Sequence, residues 1–474
     1  MSDEVLGGGA PAPLRPARGS PAAALLRRQA LWAAAAVGAM IACGLVLRLC
    51  GYVGGAYSWF GLSGALDDSW MPMGRAYARL QAGGAAPLYD LFFVEHVKFQ
   101  YPPSSLLLYA GLDALGIRPG VAEINRLVWA SILAMPVLIV MICVRLAGGG
   151  ARRQGGPARL VLLGAFAAAA LFFYPIMIAW RLGQVQALLN ALFALACLLW
   201  LWDRRLLAGA CIGLVCLVKP QFSLFLVWAL IRRERTFAAG QAATLGIGLV
   251  VSVALFGLRN HLDYLAVLSY IAQRGEVFWD NTSVNGLMNG LMFPDQVLRF
   301  DYGAFPPPTR LVHTATLWSS LAIVAYALLR RGDRTARGAG GAGASILDFG
   351  TAAVAFTLAS PIAWGHHYGV VLPVLVVLFF TLTEEPQADR RRLRLMLWSL
   401  CLVAIGNYWN VSERLAGTVA APLQNWRLAA VLLLLGLLHR ARAVTAEAPA
   451  SFTAVPPDRR PAGPDPACPG LVRP

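Results

Sequence analysis

Apolar runs of near membrane-crossing length recur along almost the whole chain: near 29–49, 121–146, 159–178, 185–202, 206–218, 220–231, 237–257, 312–329, 346–359, 367–383, 394–409 and 422–438. A bilayer core of about 30 Å is crossed by a helix of about 20 residues. Inside lipid the backbone finds no water, so such runs must satisfy their own hydrogen bonds as helices. Composition agrees, with 58% of residues hydrophobic and only 14% charged. The pattern predicts an all-α polytopic integral membrane protein with about 12–13 transmembrane helices. The run 104–117 would be about 20 Å long at 1.5 Å per residue, short of a crossing. It is expected to be re-entrant or interfacial, within a non-cytoplasmic first loop that carries interfacial helices. Residues 1–28 are expected to be a disordered cytoplasmic N-terminus without a cleavable signal, and 29–443 the transmembrane domain. The Pro-rich residues 444–474 are expected to form a disordered cytoplasmic tail.

The net charge of +16 invites a nucleic-acid reading, but its distribution excludes one. The basic residues fall in short clusters between apolar runs: Arg27-Arg28, Arg152-Arg153, Arg204-Arg205, Arg232-Arg233 with Arg235, Arg330-Arg331 with Arg334, Arg390 to Arg392, and Arg440 with Arg442. Clusters so placed mark cytoplasmic loops, whereas a nucleic-acid footprint gathers on one face or domain. Most of the cysteines lie within apolar runs and show neither CxxC nor zinc spacing, so they read as small core residues.

The loops on the opposite side carry few basic residues but many polar ones, and polar groups at membrane depth are costly and usually functional. Asp67 and Asp68 follow the first apolar run. Like charges raise one carboxyl pKa, and partial desolvation raises it further, so one of the two could serve as a general base. The competing reading is a helix N-cap for "SWMPMGRAYARLQAG". In "KFQYPPSSLLLY", Lys98 sits where an ammonium can meet a lipid phosphate or simply snorkel, and Pro102-Pro103 fix the approach to the membrane. Lys219 in "VKPQ" has no carboxylate nearby in sequence, so a phosphate or a distant Asp must satisfy it. His366-His367 follow "SPIAWG". Adjacent helical residues point about 100° apart, a poor chelating geometry, so a phosphate or sugar contact suits them better than a metal. Asn281, Ser283 and Asn285 are of the type that contacts sugar hydroxyls, with a bland polar loop as the alternative.

Read in order, "LDDSW", "RAYARLQAGG", "PLYD", "KFQYPPSSLLL", "RLGQVQALLNAL", "LVKPQFSLFLVWALIRR", "NTSVNGLM" and "LASPIAWGHHYGVVLPVL" resemble the glycosyltransferase 87 family from about residue 30 to residue 440. These are integral-membrane GT-C enzymes that include polyprenol-phosphate-mannose-dependent mannosyltransferases. The resemblance implies a GT-C-type fold and an essential Asp in the first non-cytoplasmic loop, here Asp68 or Asp67, with Asp68 preferred. It matches FxYPP to Phe99, Tyr101, Pro102 and Pro103, Gly-Gln to Gly183-Gln184, and Lys-Pro to Lys219-Pro220. It matches Ser-Pro-x-x-Trp-x-His-His to Ser360, Pro361, Trp364, His366 and His367; relatives often have Asp where this chain has Gly365, which would shift that carboxylate's role elsewhere, for instance to Asp280. The implied function is transfer of a hexose, with mannose expected, from a polyprenyl-phosphate donor in the bilayer to a glycolipid or glycan acceptor on the periplasmic or extracellular side. Inversion at the sugar, an Asp base, and no metal or cofactor are part of the same implication. Lys219, His366, His367, Arg181, Gln184, Lys98, Tyr101, Asn281 and Asn285 are the candidate contacts to donor phosphate or sugar. A transporter or flippase of a lipid-linked sugar, also rich in broken helices and buried polar groups, is the alternative.

Overall fold

The computed structural model describes residues 21–52, 66–83, 86–117, 120–147, 156–301, 303–330 and 342–447. Among them there is no strand, and the sole β-type pairing is an isolated bridge between Asn281 and Trp364. The chain is an all-α polytopic membrane protein. Among the described residues six helices are long and apolar enough to cross a bilayer, and a pair bent by 40° makes a seventh candidate. Every apolar run read from the sequence is helical, but several are short or broken rather than full crossings.

The first helix, α1 (Pro21–Leu49), begins earlier than the expected boundary at residue 29. Of the expected disordered segments 1–28 and 444–474, residues 21–28 and 444–447 are helical, and 1–20 and 448–474 lie outside the described residues, as do Arg152-Arg153, Arg331 and Arg334. Between α1 and the next long helix come three short ones, α2 (Trp70–Gln81), α3 (Asp90–Phe93) and α4 (Leu107–Ala114). The run at 104–117 is thus a 3-10 turn, Pro103–Leu106, leading into α4, and it is too short to span. Helix α5 (Val121–Leu146) crosses. The bent pair follows as α6 (Pro157–Phe172) and α7 (Tyr174–Arg181), broken at Phe173 just before Pro175. Proline lacks the N–H that would continue the ladder, which explains the break.

Helices α8 (Gln186–Leu201) and α9 (Arg205–Val218) come next, and Pro220 stops α9 and opens a 3-10 turn into α10 (Leu224–Arg232). Against α9 packs α11 (Arg235–Phe256), at a distance only glycine permits. A Cβ at Gly209 would lie 2.1 Å from Phe237 O, and one at Gly240 would lie 2.0 Å from Leu206 O. In lipid, where apolar area gives no drive to associate, such close backbone contact is what holds helices together. The rest of the chain forms α12 (Leu258–Arg274), α13 (Val284–Met292), α14 (Arg310–Leu329), α15 (Ala342–Leu358), α16 (Val371–Thr383), α17 (Ala388–Ile405) and α18 (Trp426–Glu447). Helix α16 is apolar and buried on nearly every side, as expected of a helix in the middle of a bundle.

Candidate active site

The site begins with a strap. Leu66 N, Asp68 N and Ser69 N donate to Arg181 O, Leu182 O and Gly183 O at 2.9, 3.0 and 3.1 Å, so the aspartate loop lies along the elbow between α7 and α8. Gly183 makes this possible: its φ is +64°, and a Cβ there would sit 1.7 Å from Leu66 O. Glycine alone takes that backbone region without strain. Neither aspartate caps α2. The N-cap position is Ser69, which makes no capping bond, so the capping alternative is not realised.

Ser69 points elsewhere. Its hydroxyl accepts from Val185 N at 3.1 Å, donates to Gln184 Oε1 at 2.6 Å, and lies 2.8 Å from Tyr101 Oη. Gln184 Nε2 in turn donates to Asp68 Oδ2. Burial pushes the Asp68 carboxyl above its ordinary range, and Asp67 adds to this, while the Gln184 hydrogen bond and the Lys98 charge pull it down. Asp67 beside it is exposed.

Lys98 does not reach into open space. Its ammonium donates to Glu276 Oε1 and Asp301 O, both at 2.7 Å, and lies over the rings of Phe305 and Phe300 at 4.4 and 5.0 Å. Burial pushes the Glu276 carboxyl up to about 7, against the pull of Lys98. For Lys98 the sequence offers a lipid phosphate or a snorkelling side chain; in the structure a carboxylate is its partner. Glu276 carried no motif of its own, and the signal that could have found it was the need of Lys98 for a counter-charge.

Lys219, at the end of α9, donates to His367 Nε2 at 2.5 Å. No carboxylate pairs with it among the described residues. His366 and His367 stand edge to face with ring centres 4.5 Å apart. The backbone that carries them is stapled by the loop before α13. Asn281 Nδ2 donates to Pro361 O at 3.2 Å and Asn281 Oδ1 accepts from Ala363 N at 2.9 Å. Ser283 Oγ donates to Pro361 O at 3.0 Å, and Tyr368 Oη donates to Thr282 O at 2.6 Å. Asp280 pairs with Arg427 at 2.5 Å and accepts from Gly365 N at 3.3 Å. A Cβ at Gly365 would come within 3.0 Å of both Asp280 Oδ2 and Arg427 Nη1, so the Asp280 carboxylate stands beside the position that lacks a side chain. Arg427 was not singled out from the sequence; it follows a tryptophan at the start of an apolar run, where an interfacial anchor is the ordinary reading.

These groups meet. A cavity of about 1030 Å³ is lined by Asp67, Asp68, Lys98, Tyr101, Gln184, Lys219, His366 and His367 together with Glu276 and Arg75. It does not include Arg181, Asn281 or Asn285. Asn281 is spent on the staple. Asn285 donates to Thr316 Oγ1 at 3.0 Å and accepts from Glu276 N at 3.3 Å, which leaves neither amide aimed at a sugar. Of the eleven residues expected to contact substrates or do chemistry, these three stand outside the cavity wall. One flank of the cavity is apolar: Leu268 of α12 and Leu317 and Leu321 of α14 line it, and all three are exposed.

A polytopic helical membrane protein with carboxylates and a buried ammonium around one large cavity, open on an apolar flank, has the make-up of an enzyme that works on an amphiphile. The chain matches the family model of glycosyltransferase family 87 over residues 99–361, more than half its length, and it belongs to that family. It is a membrane glycosyltransferase. No curated protein and no solved structure is matched. The matched span leaves out both aspartates and both histidines of the doublet, so their place beside Lys219 rests on the geometry.

Proposed function

We propose that the cavity transfers a hexose, with mannose the expected sugar, from a polyprenyl-phosphate donor to a hydroxyl of a glycolipid or glycan acceptor. The observation that carries this reading is the presence, in one cavity, of a half-buried carboxylate at Asp68 and a buried amine at Lys219 that no carboxylate among the described residues pairs with. A volume of about 1030 Å³ stands at the top of the range for single small-ligand sites, about 300–1,000 Å³, and has room for a donor head and an acceptor together. The exposed leucines on the flank suit an isoprenoid tail that stays in the bilayer.

In this reading Lys219 and the His366-His367 pair face the donor phosphate. The acceptor hydroxyl attacks the anomeric carbon from the side opposite the phosphate, and its proton passes to Asp68. A new C–O bond forms as the bond from the anomeric carbon to the phosphate oxygen breaks. The electron pair leaves with polyprenyl phosphate, whose added charge Lys219 stabilises. The sugar is inverted. The basic clusters at the far end of the helices support a cytoplasmic placing of that end, and so a non-cytoplasmic cavity.

The test is turnover of radiolabelled polyprenyl-phosphate mannose by the full chain in lipid nanodiscs, with a total lipid extract of the source cells as acceptor. Wild type should release polyprenyl phosphate and label an acceptor; a donor recovered intact on the other side of a vesicle would make the protein a transporter. Asp68→Asn should stay folded and lose roughly 10²–10⁴-fold in rate, the usual contribution of a general base. Wild-type rate in that variant would remove Asp68 from the chemistry.

A further inference from the structure

We propose that Gln184 is a positioning residue that acts through Asp68: its amide, locked by Ser69, holds one carboxylate oxygen and leaves the other for the acceptor hydroxyl. This inference rests on the reading of Asp68 as the base.

An isolated glutamine amide can point either way, and its two ends look alike. Here the surroundings decide. Val185 N–H donates to Ser69 Oγ at 3.1 Å, which occupies an acceptor site of that hydroxyl. The Ser69 proton then goes to Gln184 Oε1 at 2.6 Å. Tyr101 Oη stands 2.8 Å from Ser69 Oγ and 3.4 Å from Gln184 Oε1, closing the other side. With its oxygen committed, Gln184 can only present Nε2–H to Asp68 Oδ2. The direction of the whole chain of donors is therefore set at the start of α8 and ends on the carboxylate.

Two consequences follow for Asp68. Its Oδ1 accepts nothing from the described residues, so that atom is the one free to take a proton. A hydrogen bond to the charged form also opposes the upward push of burial on the carboxyl. The charged and titratable groups that share the cavity with Asp68 are Asp67 beside it, Arg75 on α2, Glu95, His96 and Lys98 after α3, Tyr101, Tyr264 of α12, Glu276 after α12, and Lys219 with His366 and His367. None of the charged ones is hydrogen-bonded to Gln184, so among the charged groups only Asp68 loses a partner when that residue is replaced; Ser69 and Tyr101 are the neutral partners that also lose one. Gln184 was expected among the donor contacts; both ends of its amide are bound to protein.

The experiment is an infrared titration of the full-length protein in nanodiscs, following the carboxyl band that Asp68→Asn removes, with the pH profile of kcat/KM measured alongside. Gln184→Met keeps the length of the side chain and removes both polar ends. The band midpoint and the acidic limb of the profile should move up together by about one pH unit, with the donor KM within about twofold of wild type. Ser69→Ala keeps the glutamine but frees its amide to rotate, and it should give a smaller shift in the same direction. An unmoved midpoint in both folded variants overturns the proposal, as does a donor KM raised tenfold or more with the limb in place. If the midpoint moves while Asp68→Asn remains active, the positioning holds and the assignment of the base fails.

Discussion

Buried charge occurs at both ends of this helical bundle, and the two ends treat it in opposite ways. At the end away from the cavity, Asp348 on α15 sits between Arg232 of α10 and Arg442 of α18, and Trp228 Nε1 donates to it at 3.2 Å. Arg232 also caps the carbonyls of Leu328 at 2.8 Å and Ala327 at 3.1 Å, at the end of α14. The carboxylate ties three helices, α10, α15 and α18, and Arg232 adds a fourth, α14. At the cavity, among the described residues, the Asp68 side chain is hydrogen-bonded only by an amide, with the Lys98 charge acting from further off, and Lys219 only by a His367 ring nitrogen. Leu224 of α10 lines the cavity and Arg232 ends the same helix, about 12 Å further on at 1.5 Å per residue. The contrast therefore runs along single helices. A charge the protein neutralises itself is there to hold helices; one it leaves short of a counter-charge is there to meet something else.

The largest effect expected from this contrast is at Asp348. Asp348→Ala leaves two buried guanidinium groups without their shared carboxylate, a change that costs about 3–5 kcal/mol when a buried pair is broken. The variant should lose most of its folded yield in membranes, and what remains should melt well below wild type in a fluorescence-detected size-exclusion assay. A folded variant with unchanged melting would erase the distinction between the two ends.

Next in size is Lys219→Met. No carboxylate is left behind by this change, so the melting temperature should stay level or rise, because an ammonium short of counter-charge is costly to bury. Donor KM should rise by roughly ten- to hundredfold, the weight of a charge-assisted hydrogen bond to phosphate. A variant that unfolds like Asp348→Ala, or one that binds donor normally, would move Lys219 to the structural side of the comparison.

How far the sequence shows this contrast differs between fold and site. Helix positions follow from run length alone, since lipid leaves the backbone no other solution; the twelve runs are all helical. The boundaries are less visible, because α1 starts at Pro21 within a segment whose Ala and Leu residues look no different from a disordered leader. At the site, residues with an evident chemical need, such as Asp68 and Lys219, can be read directly. Their protein partners cannot. Gln184 lies 116 positions from Asp68, and Glu276 lies 178 from Lys98; nothing local ties either pair. The "DNTS" loop misleads for the same reason. Its Asn281 amide is of sugar-binding type, yet it is used on the backbone of residues 361–363, a fact visible only once the two loops are side by side.

The smallest expected effect tests the comparison where it is least clear-cut, at Lys98–Glu276, a closed ion pair inside the cavity wall. By geometry it resembles the Asp348 cluster, with 2.7 Å between the charges and both side chains mostly buried. The effect of its burial sets it apart. Burial holds the Glu276 carboxyl at about 7 in the folded protein, above the ordinary value of 4.5, in spite of Lys98. A carboxyl raised in this way keeps its proton longer folded than unfolded, so its contribution to stability is full below pH 4.5 and is lost as pH rises through 7. The pair is then a net cost at neutral pH, as buried pairs can be when desolvation exceeds attraction. It serves to hold the Asp301 backbone and the rings of Phe300 and Phe305 against the cavity. Glu276→Gln should melt with wild type at pH 4.5 and above it at pH 8, by about 2 °C. A gap that opens in the other direction, with wild type the more stable at pH 8, would place this pair with Asp348 among the charges that hold helices together.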